Sequence, residues 1–398
     1  KEMKRTLVLF ALIMLVSAAF AQMKKDRTSA YNYWMKKDLV KAKEFIDKAI
    51  AYPEAVTDSK VWFYRGNIYL DIQLSPAKAV LAPDAINVAY DAYLKAKELD
   101  TKEEFKEDIT ARMAAIGGEF FNEGISYFQQ NNFDGAIPLF DKAIKISADN
   151  HVIDTLANYG AALCLEKKAS QDVVFLDQAI AKYQYLVDIK MKEVSVYTSL
   201  ANLYKDKGNL DKASEIIGIG KTLFPGNTDL IITEANMYIS TNNHAKAVSS
   251  LMVAKEKEPK NVSVLYAIGV TYDLLKNDTK LPDAERADYF TKATDAYKEA
   301  IAVDSNYFDA IFNLGAIYFN KGGEVINEAN KLPISETAKY DKLLAEGNNY
   351  LNLSLPYLEK CEKIQPLDKP TLVSLKEIYT RLNKTEKLGA INAKLSTL

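Results

Sequence analysis

Residue types able to do acid–base, nucleophilic or metal chemistry are few in this chain, and none sits at a spacing that such chemistry requires. His151 and His244 are the only histidines, and neither has a Cys, Asp or Glu placed as in a metal site. Both fall where helical patterns break, so they read as turn residues. Cys164 and Cys361 lie inside helical patterns and read as small buried residues rather than reactive thiols. Gly218-Ile219-Gly220 precedes Lys221 but lacks the spacing and the preceding strand of a phosphate loop. Gly117-Gly118 and Gly322-Gly323 sit at inter-helix positions, where backbone freedom is the simpler account. No Ser-His-Asp set or paired carboxylate stands out from the general supply of surface acids. The expectation is therefore no catalytic residue, no metal and no cofactor. What remains is recognition chemistry, above all the amides Asn67, Asn202 and Asn236.

The elements that position those amides are written most clearly between Val194 and Lys260. Tyr197, Leu200, Ala201, Tyr204, Ala213, Ile217, Gly220 and Pro225 are followed 34 places later by Ile231, Glu234, Ala235, Tyr238, Ala247, Leu251, Ala254 and Pro259. A period of that length marks a solenoid. Within each copy large apolar residues recur three to four apart, Lys207-Gly208-Asn209 or Thr241-Asn242-Asn243 breaks the run, and Pro closes it. Each copy is a helical hairpin.

These residues resemble the tetratricopeptide repeat (TPR) family, which has a bulky residue, Leu, a small residue and Tyr on helix A. Helix B of that family carries Ala, a bulky residue, Ala and Pro. The resemblance implies an all-α fold, a right-handed α-solenoid of about nine TPR-like hairpins. Its small positions, here Ala201, Ala213, Ala235 and Ala247, let paired helices approach closely. A solenoid also holds Cys164 and Cys361 apart, so no disulfide joins them.

The N-terminus is of another kind. Lys4-Arg5, an apolar run from Leu7 to Val16 and Ala19-Phe20-Ala21 form a signal-peptide pattern, with Met3 as the start and cleavage before Gln22. No Cys follows the cleavage point, so no lipid anchor is expected, and the apolar run is short for a span. The expectation is an exported protein, periplasmic or peripheral to the outer membrane, with no membrane insertion after leader cleavage. Residues 22–398 carry 48 basic against 52 acidic side chains, a balance that does not attract nucleic acid. The Lys-, Tyr- and Asn-rich composition is similar to that of secreted TPR proteins of Bacteroidota.

In order, the chain reads as a signal peptide over 1–21, a short polar lead-in over 22–27 and one solenoid over 28–398. Insertions fall near 71–88, 165–178, 273–292 and 319–353, and the last unit is a cap. The insertion around Lys276–Glu285 is polar and reads as a surface loop, whereas 319–353 holds helical patterns on both sides of Leu332-Pro333 and reads as two lengthened helices.

By the resemblance, helix A lines the inner wall of the superhelix at fixed places after its bulky and small residues. These are Phe63, Asn67 and Leu70; Phe121, Ile125 and Phe128; Thr198, Asn202 and Lys205; Ile232, Asn236 and Ile239; and Tyr266, Val270 and Asp273. Such a wall implies a protein or extended peptide partner, and so a non-catalytic binding scaffold in envelope assembly or secretion. The family's carboxylate-gripping subgroup is not matched, because Phe63, Thr198 and Ile232 stand where it needs Lys. Glycan capture is the alternative that 24 Tyr residues raise, although many of them hold packing positions. A further alternative is a non-catalytic subunit of an enzyme complex.

Overall fold

The computed structural model describes residues 2–398, with side chains from residue 18 onward, and it falls into two compact units, Lys1–Met191 and Lys192–Leu398. Most of the expected leader's side chains thus lie outside the described residues. Among the described residues every regular element is helical.

The first unit holds α1 (Glu2–Met35), α2 (Leu39–Ile50), α3 (Ser59–Gln73), the single turn α4 (Lys78–Leu81), α5 (Ala85–Leu99), α6 (Lys106–Gln129), α7 (Phe133–Asp149), α8 (Thr155–Ala169) and α9 (Leu176–Asp188). Its hairpins are α1/α2, α3/α5, α6/α7 and α8/α9. The second unit holds α10 (Val194–Asp206), α11 (Leu210–Leu223), α12 (Thr228–Ser240), α13 (His244–Lys257), α14 (Val262–Lys276), α15 (Asp283–Val303), α16 (Phe308–Asn330), α17 (Thr337–Ile364), α18 (Lys369–Arg381) and α19 (Thr385–Leu395). These pair in order, α10/α11 through α18/α19. Four hairpins in one unit and five in the other match the expected α-solenoid of about nine.

In the uninterrupted repeats, the reversal takes two residues. The first is left-handed: Lys37, Asn131, Gly208, Asn242 and Asn383 have φ between 54° and 81°. The next residue donates its N–H to the carbonyl five places back, which is always the repeat's Tyr: Asp38 to Tyr33, Asn132 to Tyr127, Asn209 to Tyr204, Asn243 to Tyr238 and Lys384 to Tyr379, at 2.7–3.0 Å. That closes the helix A carbonyls in a Schellman turn. Where the second residue is Asp38, Asn132 or Asn209, its side chain also caps helix B, accepting from the N–H three residues on. One short segment ends one helix and starts the next.

The paired helices are held by a small residue set against a large one. A Cβ built on Gly66 would lie 2.6 Å from the ring of Tyr93, one on Gly124 2.9 Å from Phe140, and one on Gly269 2.5 Å from Tyr297. Tyr93, Phe140 and Tyr297 are fully buried. In the Ala201 and Ala235 hairpins the corresponding helix B position is filled by Ile217 or Leu251, so bulk on one side falls as it rises on the other. Ser354 uses the same closeness differently: its hydroxyl donates 2.7 Å to the carbonyl of Gly315 across α16 and α17. Gly160 makes the same kind of contact between hairpins, because its open side meets Phe140 of the preceding hairpin, at 2.7 Å, rather than its own helix α9.

Several segments differ from the sequence reading. Residues 22–27 are not a loose lead-in. They continue α1, with Met23 and Asp26 buried and Arg27 paired to Asp58 at 2.5 Å. The insertion over 273–292 is only in part a loop, since Asp283 already begins α15, with Asp283 and Glu285 in a first turn that favours negative charge. The segment over 319–353 lengthens both α16 and α17, and their extensions meet at Gly322 and Gly347, where a Cβ on Gly322 would be 2.9 Å from the Gly347 carbonyl.

Two glycines of α6 test the packing rule against helix propensity. Gly118 has nothing within 4 Å of its missing Cβ, so Gly118→Ala should raise stability by about 0.5–1 kcal/mol. Gly124→Ala gains the same propensity but drives a methyl into Phe140, and should lose roughly 1–3 kcal/mol net. Thermal melts that move in the same direction for both variants would contradict the close-contact account.

Candidate functional site

The structure separates the expected wall residues into three groups. Phe63, Asn67 and Leu70 are 7%, 1% and 2% exposed and offer no surface. Phe63 has a long-range cover: Phe105, just before α6, stacks on it with ring centroids 4.4 Å apart and planes 15° apart. Asn67 then serves the core, its Oδ1 accepting from the Tyr93 hydroxyl at 2.6 Å. Placing these three on an open wall was incorrect.

Phe121, Ile125 and Phe128 on α6 are half-buried and pack against the first unit's core. Phe121 lies 5.8 Å from the ring of Phe140 and Phe128 lies 5.7 Å from that of Phe133.

The second unit keeps a continuous face. Helices α10, α12, α14, α16 and α18 each touch the next, so the A helices line up side by side. Across them Asn202, Lys205, Ile232, Ile239 and Tyr266 are half-buried and Asn236 is exposed. Lys205 lies 3.9 Å from Asp206, a distance at which a surface ion pair contributes little. Groups with apolar area and free amide edges therefore alternate along one row.

That row ends in an aromatic cluster the sequence reading missed. Tyr307 meets Tyr266 edge-to-face, with centroids 5.5 Å apart, and Phe308 stacks on Phe312 at 6.2 Å. Asn313 Nδ2 donates to the hydroxyls of Tyr266 and Tyr297, at 3.3 and 3.4 Å. Burial, and then the nearby Asp309 carboxylate, push the phenols of Tyr266 and Tyr307 upward, so both stay neutral and able to donate. The signal was present in the repeat phase: Phe312 follows Ile311 as Tyr266 follows Leu265.

The residues considered for chemistry have structural positions. His151 is left-handed at a turn, with φ 57°, and His244 opens α13. Gly220 packs under Leu230 and Tyr197, where a Cβ would meet carbon at 2.9 and 3.0 Å. Cys164 and Cys361 are buried and unbridged, and burial pushes each thiol up to about 12. No group of three His, Cys, Asp or Glu side chains among the described residues is placed to hold a metal ion.

With this geometry in place, comparison with known proteins adds the repeat type. A tetratricopeptide repeat model matches residues 120–150 and 194–217, and a TPR repeat model matches 290–322. No curated protein matches. Among solved structures, TTC0263, a thermophilic TPR protein of Thermus thermophilus, is similar at 17% identity over 50% of this chain and 98% of its own, with a TM-score of 0.38. YrrB, described as a TPR protein with an unusual peptide-binding site, is 18% identical over 55% of this chain and 95% of its own, with a TM-score of 0.35. A human IFIT1 dimer with PPP-AAAA is 13% identical over 92% of this chain and 88% of its own, with a TM-score of 0.39. No helix among the described residues is long and apolar enough to cross a membrane.

Two outcomes follow from the burial pattern. Asn67→Ala should cost about 1–3 kcal/mol, because it strands the buried Tyr93 hydroxyl, whereas Asn236→Ala should leave the melting curve in place. Both thiols should resist alkylation at pH 8 in the folded protein and react at once in denaturant, since the nucleophilic thiolate is scarce far below a pKa of about 12. Fast labelling of the native chain would reject their burial.

Proposed function

We propose that the tetratricopeptide repeats of this chain form a non-catalytic scaffold that holds an extended segment of another protein along α10, α12, α14 and α16. The observation that carries this reading is the unbroken row on the second unit, where Asn202 and Asn236 sit among half-buried Ile232, Ile239 and Tyr266. An extended chain has unpaired backbone groups at regular intervals. Side-chain amides on successive helices meet them, each bond contributing about 0.5–1.5 kcal/mol net, while the neighbouring apolar side chains supply burial. The first unit offers the apolar Phe121, Ile125 and Phe128 but no exposed amide at the matching places, so the amide readout belongs to the second unit.

The scaffold works outside the cytoplasm, in the periplasm, in cell-envelope assembly or secretion. Supporting this are the basic start, the short apolar run and the Ala19-Phe20-Ala21 end. Removal of residues up to Ala21 would also take away no buried side chain among the described residues, Met23 being the first.

Asn202→Ala combined with Asn236→Ala should weaken capture of protein partners from an envelope fraction without lowering the melting temperature, and Tyr204→Ala should mainly destabilise the fold. Full capture by the double variant would remove this face from consideration. Intact-mass measurement of protein produced with its leader should give a mature chain starting at Gln22, and retention of residues 1–21 would count against export.

A further inference from the structure

Two insertions that the repeat phase marks as separate, 273–292 and 319–353, meet in space. They lengthen α15 at its start and α16 at its end, and between the two extensions lies a cleft of about 690 Å³ bounded also by α14 and by Tyr350 of α17. That volume lies in the range of small-molecule sites. The repeat itself needs neither insertion, and the cleft uses none of the residues assigned to the peptide-binding row.

Each wall carries both signs of charge, paired along its own helix and not across the cleft. Arg286 Nη2 donates to Asp283, three residues earlier on its own helix, and Lys321 pairs with Glu324 of its own helix at 3.6 Å. Among the described residues no ion pair crosses from α15 to α16, and Glu328, one turn beyond Glu324, has none. Arg286 Nε is buried and meets no acceptor. Phe290 of α15 and Tyr350 of α17 stand edge-to-face, 6.1 Å between centroids at 85°, and supply apolar surface. Cations and carboxylates line the cleft in equal number, which disfavours a ligand of net charge.

We propose that this cleft binds a small zwitterion with an aromatic or apolar side chain, an α-amino acid or short peptide. Its carboxylate sits on the Arg286 guanidinium, whose planar fork suits that group, its ammonium sits on Glu328, and its side chain rests against Phe290 and Tyr350. The ligand thereby gives Glu328 the partner it lacks, adds an acceptor to Arg286 beside Asp283, and ties α15 to α16.

The test is calorimetric titration of the full chain with L-phenylalanine, beside L-phenylalaninamide, which lacks the carboxylate, and 3-phenylpropionate, which lacks the ammonium. Saturable one-to-one binding of L-phenylalanine is expected. Each single-charge analogue, and L-phenylalanine on Arg286→Gln or Glu328→Gln, should bind at least about tenfold more weakly. Melting curves of the variants should match the parent. If Arg286→Gln fails to fold, Arg286→Lys, which keeps the charge but not the fork, should show the same loss. No saturable heat with L-phenylalanine, an analogue binding as tightly as L-phenylalanine, or unchanged titrations for both variants would each overturn the proposal.

Discussion

Close approach of a small residue on one helix to a large one on its partner is the contact on which the other features depend. Gly66 under Tyr93, Gly124 under Phe140 and Gly269 under Tyr297 bring helix axes near enough that a methyl group has no room. Phe140 shows how hairpins are joined as well as formed. It is fully buried between Gly124 of its own hairpin and Gly160 of the next, so one ring fixes two helix crossings. Such contacts are local in sequence, which lets the repeat carry insertions without losing its core.

The insertions show where that freedom lies. None of them interrupts a small-to-large contact: α15 and α16 are lengthened at the ends away from Tyr297 and Gly315, and α6 is lengthened ahead of Gly124. The cost falls on surfaces instead. The segment that leads into the long α6 brings Phe105 over Phe63 and closes the wall there, while lengthening α15 and α16 opens a cleft with no charge pair across it. Recognition surface is gained and lost through helix length, and the hairpin core stays the same.

This explains which features were legible from residue spacing alone. The Tyr positions and the residues after them encode the turn through local hydrogen bonds, so Tyr204 with Gly208 and Asn209 can be read without knowledge of the fold. The small positions are legible for the same reason. Gly160 and Ala161 both fit a small position, so spacing alone leaves the register there open, and Phe140 of another hairpin decides it. Asn67 faces the core because its partner is the Tyr93 hydroxyl on the paired helix, and the Phe105 that covers neighbouring Phe63 comes from forty-two positions away, contacts that no periodicity reports. Phe312 was within reach of the same counting that found Tyr266, whereas Tyr307 and Asn313 lie outside the counted places. Helix A of the eighth hairpin keeps the pattern although the hairpin is interrupted after it.

The claim that the A-helix row of the second unit holds a protein segment is tested most directly by a photo-crosslinking residue placed at position 236, on α12, and separately at position 252, on α13. Met252 is 40% exposed and Asn236 is also exposed, so both positions reach solvent, but only 236 belongs to the row. In the envelope fraction, position 236 should form a discrete crosslinked protein adduct and position 252 should not. A discrete adduct from 252 alone, or adducts of the same protein from both, would contradict a partner held in that row.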